Sequence, residues 1–335
     1  PFSSRRRHTR CSRWSRGFGD VYKRQDLRRV VVKIGSSLLI DSDNRLDRAW
    51  LESLADDVAR LRENDQQVLL VSSGAVAIGS QVLGINPRRA RLDELQAAAA
   101  AGQVQLVHAY QEALGRHDIR AAQVLLTPDD TEVRRRFLNA RNTLEKLLEH
   151  RIVPVINEND TVATDEIRYG DNDRLAARVA QTVMADGLVL LSDVDGFYSA
   201  DPRSHPDAEF FDVVESIDDR HVAMAGASGT QVGSGGMNTK VQAARIATHA
   251  GCATMIASGA GERPLGRLSD GGRHTLFPAA ATPAAIRKQW LAGVLDVKGE
   301  LRLDDGAVAA LQGGKSLLPV GVVDVVGRFE RGDAV

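Results

Sequence analysis

The chain has 335 residues, 43% of them hydrophobic and 26% charged, with a formal net charge of −1 at pH 7. That size suits one large domain plus a smaller one, and no stretch approaches the roughly 18 uninterrupted apolar residues of a membrane span. Cys11 and Cys252 stand far apart and outside any Cys-x-x-Cys, which argues against a disulfide scaffold or zinc knuckle and fits a reducing cytoplasm.

Residues 1–25 carry eight Arg and Lys against one Asp, whereas the remainder carries 35 basic and 43 acidic residues. The body is therefore mildly acidic, and nonspecific nucleic-acid binding is not its default behaviour. The basic arm has no apolar core for a secretory signal, begins at Pro1 and shows no helical periodicity. It reads as a disordered or foreign leader rather than a transit peptide or RNA-binding arm.

From Leu27 the pattern becomes regular. "LRRVVVKIGSSLLI" predicts a buried strand broken at Gly35-Ser36-Ser37, followed by a helix over about 47–65 and the strand "QVLLVSSGA". "LDELQAAAAAGQVQLVHAYQEAL" predicts a long helix whose five consecutive alanines permit close packing. The strand "IRAAQVLLT", one helix over about 130–149 and the strand "RIVPVINEND" come next. "NDRLAARVAQTVMA" reads as a helix, "GLVLLSDVDG" as a strand, "NTKVQAARIATHAG" as a helix ending at Gly251, and "ATMIAS" as a strand.

These strands are continuous apolar runs separated by helices, the pattern of a mainly parallel sheet covered on both faces, a three-layer sandwich. Ligands in such folds bind beyond the carboxyl ends of the strands. Polar clusters fall there: Gly35-Ser36-Ser37, Ser72-Ser73-Gly74, Asn157-Glu158-Asn159-Asp160 and Ser192-Asp193. The expected boundaries are a large α/β domain over 26–280, a linker over 281–295 that docks a Trp, and a small β-rich module over 296–335 that stops in mid-pattern at Val335.

Several stretches could carry chemistry. Lys33 sits among Val and Ile in "VVVKIGSS", where an isolated lysine is costly unless it snorkels to water or meets an anion. "VINENDTVATDEIRYGDNDRLAA" is dense in carboxylates, including Asp160, Asp165, Glu166, Asp171 and Asp173. It lacks the order of a calcium loop. Turn and cap chemistry explains Asp165 and Glu166, yet it explains poorly why Asn157 and Asp160 directly follow a buried run. "LLSDVDGFYSADPR" also fails as a calcium loop, since Leu191 takes the first ligand position and Pro202 the last. "GSGGMNTK", residues 233–240, is rich in glycine and ends on lysine, but it is not G-x-x-x-x-G-K-[ST]. "VSSGAVAIG" has no Gly-x-Ser-x-Gly, and the histidines are scattered, so a hydrolase triad is unsupported.

Taken in order, "VVVKIGSSLL", "VSSGAVAIG", "RRRFLNARNTL", "IVPVINENDTVATDEI", "GDNDRLAARVA", "LLSDVDGFYSADPR" and "GSGGMNTK" resemble the amino acid kinase family. "FLNARNTL" and "PVINENDTVAT" are similar to its glutamate-phosphorylating branch. Residues from about 296 look like the first half of the PUA domain that ends such chains.

The resemblance implies ATP-dependent phosphorylation of the γ-carboxylate of L-glutamate to L-glutamyl 5-phosphate, the first step towards proline, in the cytoplasm. It implies that Lys33 and Lys240 hold the transferred phosphoryl and that Asp173 orients both lysines. It places Ser73, Asn157, Asp160 and Asn172 against glutamate. Lys33, Ser192, Asp193 and the loop Ser234, Gly235, Gly236, Met237, Asn238, Thr239 and Lys240 are placed against ATP. Ser234 stands where the family often has Thr. Mg2+ is expected on the ATP oxygens without a dedicated protein cage. Inhibition by proline and a homo-oligomer, dimer or tetramer, are further family expectations. The alternatives are an aspartate-type acyl-phosphate kinase and, of another class, an RNA-binding regulatory protein using the PUA-like tail. That tail supplies only Lys298, Arg302, Lys315, Arg328 and Arg331 against seven acidic residues.

Overall fold

The computed structural model describes residues 27–41, 45–162, 172–227, 236–279, 299–313 and 315–327. The basic leader, Asp165, Glu166, Asp171, Ser234, Gly235, the linker 281–295 and the last eight residues lie outside them.

Seven strands form the central sheet: β1 (Arg29–Ile34), β2 (Gln67–Ser72), β3 (Ala121–Leu126), β4 (Val153–Glu158), β5 (Gly187–Ser192), β8 (Ala253–Ser258) and β9 (His274–Phe277). A short hairpin, β6 (Phe197–Tyr198) with β7 (Phe210–Phe211), stands apart. The sheet order is β3-β4-β2-β1-β5-β8-β9. All pairings are parallel except β8 with β9.

Alternation along the strands sorts side chains into two cores. Val30, Val32 and Ile34 of β1 pack with one set of helices, Arg48–Glu63, Ala75–Leu83, Leu92–Gly115 and Pro264–Ser269. Val31 packs on the opposite face with Arg134–Glu149, Asn172–Thr182, Asp219–Ala227 and Met237–His249. Successive strand residues point to opposite faces, so both faces are apolar and the strands read as unbroken hydrophobic runs. Lys33 has the parity of Val31. Its side chain therefore rises on the face covered by the helices that begin at Asn172 and Met237.

Three differences from the sequence expectations have local causes. The single helix expected over 130–149 is two, Pro128–Glu132 and Arg134–Glu149, because Val133 is extended at φ −78°, ψ 115°. Thr127 and Asp130 form a capping box on the first piece, with Asp130 Oδ2 accepting from the Thr127 backbone N–H at 2.7 Å. β3 is an outer strand with exposed Gln123, so it lacks the two-sided burial of the central strands. The helix Ala75–Leu83 was not legible, since "SSGAVAIG" reads on from a strand. Gly74, at φ 104°, makes the turn into it, a conformation that glycine adopts without steric cost.

The alanine run of Leu92–Gly115 does allow close packing, against Ala75–Leu83. A Cβ on Gly79 would lie 1.7 Å from the Ala98 carbonyl oxygen, and one on Gly102 would lie 1.9 Å from that of Ala75. The two helices thus touch backbone to backbone. Gly102→Ala is expected to lower stability by about 3 kcal/mol, since neither backbone can yield as a side chain would. The urea unfolding midpoint checks this.

In the C-terminal stretch, β10 (Gly299–Leu303) pairs antiparallel with β11 (Val322–Gly327). The helix Asp305–Gln312 lies between them in sequence, and Asp304 Oδ1 caps it by accepting from the Ala307 N–H at 2.7 Å. Among the described residues, no helix is long and apolar enough to cross a membrane.

Candidate active site

Asp173 is the second residue of the helix Asn172–Thr182, and Lys240 lies in the first turn of Met237–His249. Both helices cover the face on which Lys33 rises. Lys33 Nζ is 2.6 Å from Asp173 Oδ1, and Lys240 Nζ is 3.2 Å from Asp173 Oδ2. All three side chains are buried, at 4%, 0% and 4% exposure for Lys33, Asp173 and Lys240. Burial alone would raise the Asp173 carboxyl, but Lys33, Lys240 and the Thr239 hydroxyl hold it well below the usual carboxylate range. The Thr239 Oγ1 sits 2.7 Å from Asp173 Oδ2 and 2.8 Å from the Gly236 carbonyl, and donates its single proton between them.

Two ammonium groups and one carboxylate carry a net positive charge. Desolvating such charges is expensive unless an opposite charge joins them. The cluster therefore has the electrostatics of a site that favours anions. Lys33 and Lys240 both line a cleft of about 600 Å³ at the carboxyl ends of the strands.

The sheet order places the polar strand ends along this cleft. β4, β2, β1 and β5 are consecutive neighbours, so Asn157, Ser73, Lys33 and Ser192 come from four adjacent strand ends. On the β4–β2 side, Asn172 Nδ2 donates to Ser73 Oγ at 2.7 Å and to Asn157 Oδ1 at 3.0 Å. Asp160 opens the 3-10 turn Asp160–Val162 and also lines the cleft. Burial pushes its carboxyl up to about 6.

On the β5 side, Ser192 donates to Asp193 Oδ1 at 3.0 Å, and Arg203 donates to Asp193 Oδ2 at 3.1 Å. Gly236 and Met237 line the cleft where the helix Met237–His249 begins. The N–H groups of a helix start favour anions.

The expected residues converge with two exceptions of detail among those described. Asn238 is exposed and outside the cleft lining, and Thr239 turns to Asp173. The cleft wall also takes in Arg88, Leu95, Tyr198, Arg203 and Met224, which drew no attention in sequence. For Arg203 a signal existed in "SADPR", a turn directly after a strand-end loop. Arg88 and Met224 offered none, because nothing near them is unusual for a solvated loop or an ordinary helix.

A cleft beyond parallel strand ends, with converging lysines aimed by one aspartate, is suited to moving a phosphoryl group between anions. The chain belongs to the amino acid kinase family, which it matches over residues 28–258, and it matches the PUA domain over residues 293–335. It is 55% identical over 314 residues to a glutamate 5-kinase of Rhodopseudomonas palustris, spanning 93% of this chain and 84% of that one. A glutamate 5-kinase of Nitrobacter hamburgensis is 56% identical over 309 residues, covering 92% of this chain and 82% of the relative.

Solved structures share the fold at low identity. A UMP kinase from Ureaplasma parvum has a TM-score of 0.54 at 15% identity, covering 75% of this chain and 99% of its own. A carbamate kinase from Giardia lamblia bound to AMP-PNP has a TM-score of 0.53 at 16% identity, covering 76% and 99%. Membership of a kinase family implies ATP as the phosphoryl donor.

Proposed function

We propose that this chain transfers the γ-phosphoryl group of ATP to the γ-carboxylate of L-glutamate, giving L-glutamyl 5-phosphate, the first step of proline biosynthesis. The observation that carries the reading is the buried Lys33–Asp173–Lys240 cluster, whose Lys33 stands on the strand between those ending at Ser72 and Ser192.

A γ-carboxylate with an ordinary pKa of about 4.3 is ionised at neutral pH, so no general base is required. The obstacle is bringing one anion against another and then stabilising charge spread over the moving phosphoryl. Lys33 and Lys240 supply that stabilisation from fixed positions, and Asp173 with Thr239 keeps their ammonium groups aimed. Among the described residues no group of three or more His, Cys, Asp or Glu could hold a metal. Mg2+ is read as part of the MgATP substrate, carried on phosphate oxygens.

Ser73, Asn157, Asp160 and Asn172 form the amino acid subsite in this reading. Asp160 faces the α-ammonium, while amides and backbone N–H groups serve the carboxylates. Ser192, Asp193, Gly236, Met237 and Lys240 serve the nucleotide, with Thr239 acting through Asp173. Proline inhibition and a homo-oligomer extend the same reading and rest on the family resemblance.

The direct test is ATP turnover with L-glutamate, with the acyl phosphate trapped as a hydroxamate by hydroxylamine. Turnover with L-aspartate equal to that with L-glutamate would sink the assignment. A pH prediction follows from Asp160. Its carboxyl titrates near 6 because of burial, and only the ionised form attracts an ammonium group. The KM for L-glutamate is therefore expected to rise as pH falls through about 6, and Asp160→Asn should flatten that dependence while raising KM at every pH.

A further inference from the structure

The geometry points to Gln103 as a positioning residue that holds Asn157, and through it Asn172, in the amide sense their backbone partners set, leaving Asn172 Oδ1 as the acceptor without a partner. The inference rests on the glutamate kinase reading above and concerns how that subsite tells an ammonium group from a carboxylate.

Gln103 lies in the helix Leu92–Gly115 and is only 7% exposed. Its Oε1 accepts from Asn157 Nδ2 at 2.8 Å. An amide side chain can be turned end for end, so its sense must come from partners that cannot reverse. Two backbone groups provide this. The Glu158 N–H donates to Asn157 Oδ1 at 2.9 Å, and the Ser72 carbonyl accepts from Asn172 Nδ2 at 3.2 Å. With Asn157 Oδ1 committed to a donor, Asn157 Nδ2 needs an acceptor, and Gln103 Oε1 supplies it.

The consequence reaches Asn172. Its Nδ2 donates towards Asn157 Oδ1, Ser73 Oγ and the Ser72 carbonyl, which exhausts its two protons. What remains is Asn172 Oδ1, buried and without a hydrogen-bond partner, on a side chain that lines the cleft. A buried acceptor left unpaired is costly, so the complementary ligand group is a donor. An ammonium group fits, and a carboxylate is repelled. Asn172 and Asp160 both line this cleft.

Gln103 holds this arrangement without touching substrate. Without its Oε1, Asn157 Nδ2 becomes a buried donor with no partner. Turning that amide sets Nδ2 against the Glu158 N–H and draws Asn172 Oδ1 inward. Either way the subsite loses its fixed acceptor. Gln103 Nε2 is itself buried and unpartnered. A glutamate at position 103 would therefore keep the acceptor oxygen in either protonation state and remove the orphaned donor.

The test compares the wild-type chain with Gln103→Glu, Gln103→Met and Gln103→Asn, the last keeping an amide but withdrawing it from Asn157. L-glutamate and ATP kinetics are measured, together with competitive inhibition by glutarate, which lacks the α-ammonium. Gln103→Met and Gln103→Asn are expected to raise the KM for L-glutamate about tenfold or more. The kcat and the KM for ATP should stay within about twofold, the glutarate inhibition constant should not weaken, and Gln103→Glu should behave as wild type. Should Gln103→Met fail to fold, Gln103→Asn carries the comparison. An unchanged glutamate KM in Gln103→Asn overturns the inference. So does equal weakening of glutamate and glutarate, or a Gln103→Glu variant as impaired as Gln103→Asn. A wild-type chain that does not turn over L-glutamate overturns the functional reading itself, and with it this inference.

Discussion

Lys240→Ala is expected to lower kcat for L-glutamate phosphorylation by about a thousandfold, with the KM for L-glutamate changing by less than about threefold. The asymmetry follows from where the charge is greatest. The Lys240 ammonium is buried, held at 3.2 Å by Asp173 and turned to the cleft. In the proposed reaction its best partner is the phosphoryl group in transit, whose charge spreads over its oxygens in the transition state. An interaction stronger in the transition state than in the ground state lowers kcat when removed. Steady-state kinetics with the hydroxamate trap measure both constants. An unchanged kcat would remove Lys240 from the catalytic set and leave the cluster a structural ion pair.

Asp173→Asn is expected to cost more than activity. The substitution keeps the shape and removes the carboxylate that both lysines pair with, leaving their ammonium groups against a neutral amide. Breaking a buried ion pair by removing one partner typically destabilises by about 3–5 kcal/mol, and here one removal breaks two pairs. Turnover should fall by about a thousandfold or more because both lysines lose their aim. MgATP should raise the melting temperature of Asp173→Asn by more than it raises that of the wild type, since its phosphates replace the missing negative charge. Thermal melts with and without MgATP separate this from a general packing defect, for which the nucleotide shift would shrink.

Much of the site was legible because its residues are anomalous where they stand. A lysine inside "VVVKIG" and the run "NEND" after "IVPVI" are placements that burial penalises, and each sits at the end of a predicted strand. Those ends line one cleft because the four strands concerned are neighbours in the sheet. The family resemblance places Thr239 among the nucleotide contacts. In the structure its hydroxyl donates to Asp173, since its position in the first helical turn aims it inward.

Other features carried no local signal. The split at Val133 depends on one residue taking an extended conformation between two helices of good propensity. The contact of Gly79 and Gly102 with the facing backbones is a property of two helices together. Gln103 looks ordinary within an alanine-rich helix, and its meaning comes from an amide on β4.

The sequence by itself determined the alternation of buried strands with helices, the polar ends of those strands and the candidate charged residues. These are local matters of hydrophobic period and of the cost of burying charge. Only the tertiary structure decided that Lys33, Asp173 and Lys240 meet. Strand parity sends Lys33 to one face, and the sheet order lays the two helices that carry its partners on that same face. It also decided the sense of each amide beside them, because hydrogen-bond direction is set by whichever donors and acceptors the fold brings within reach.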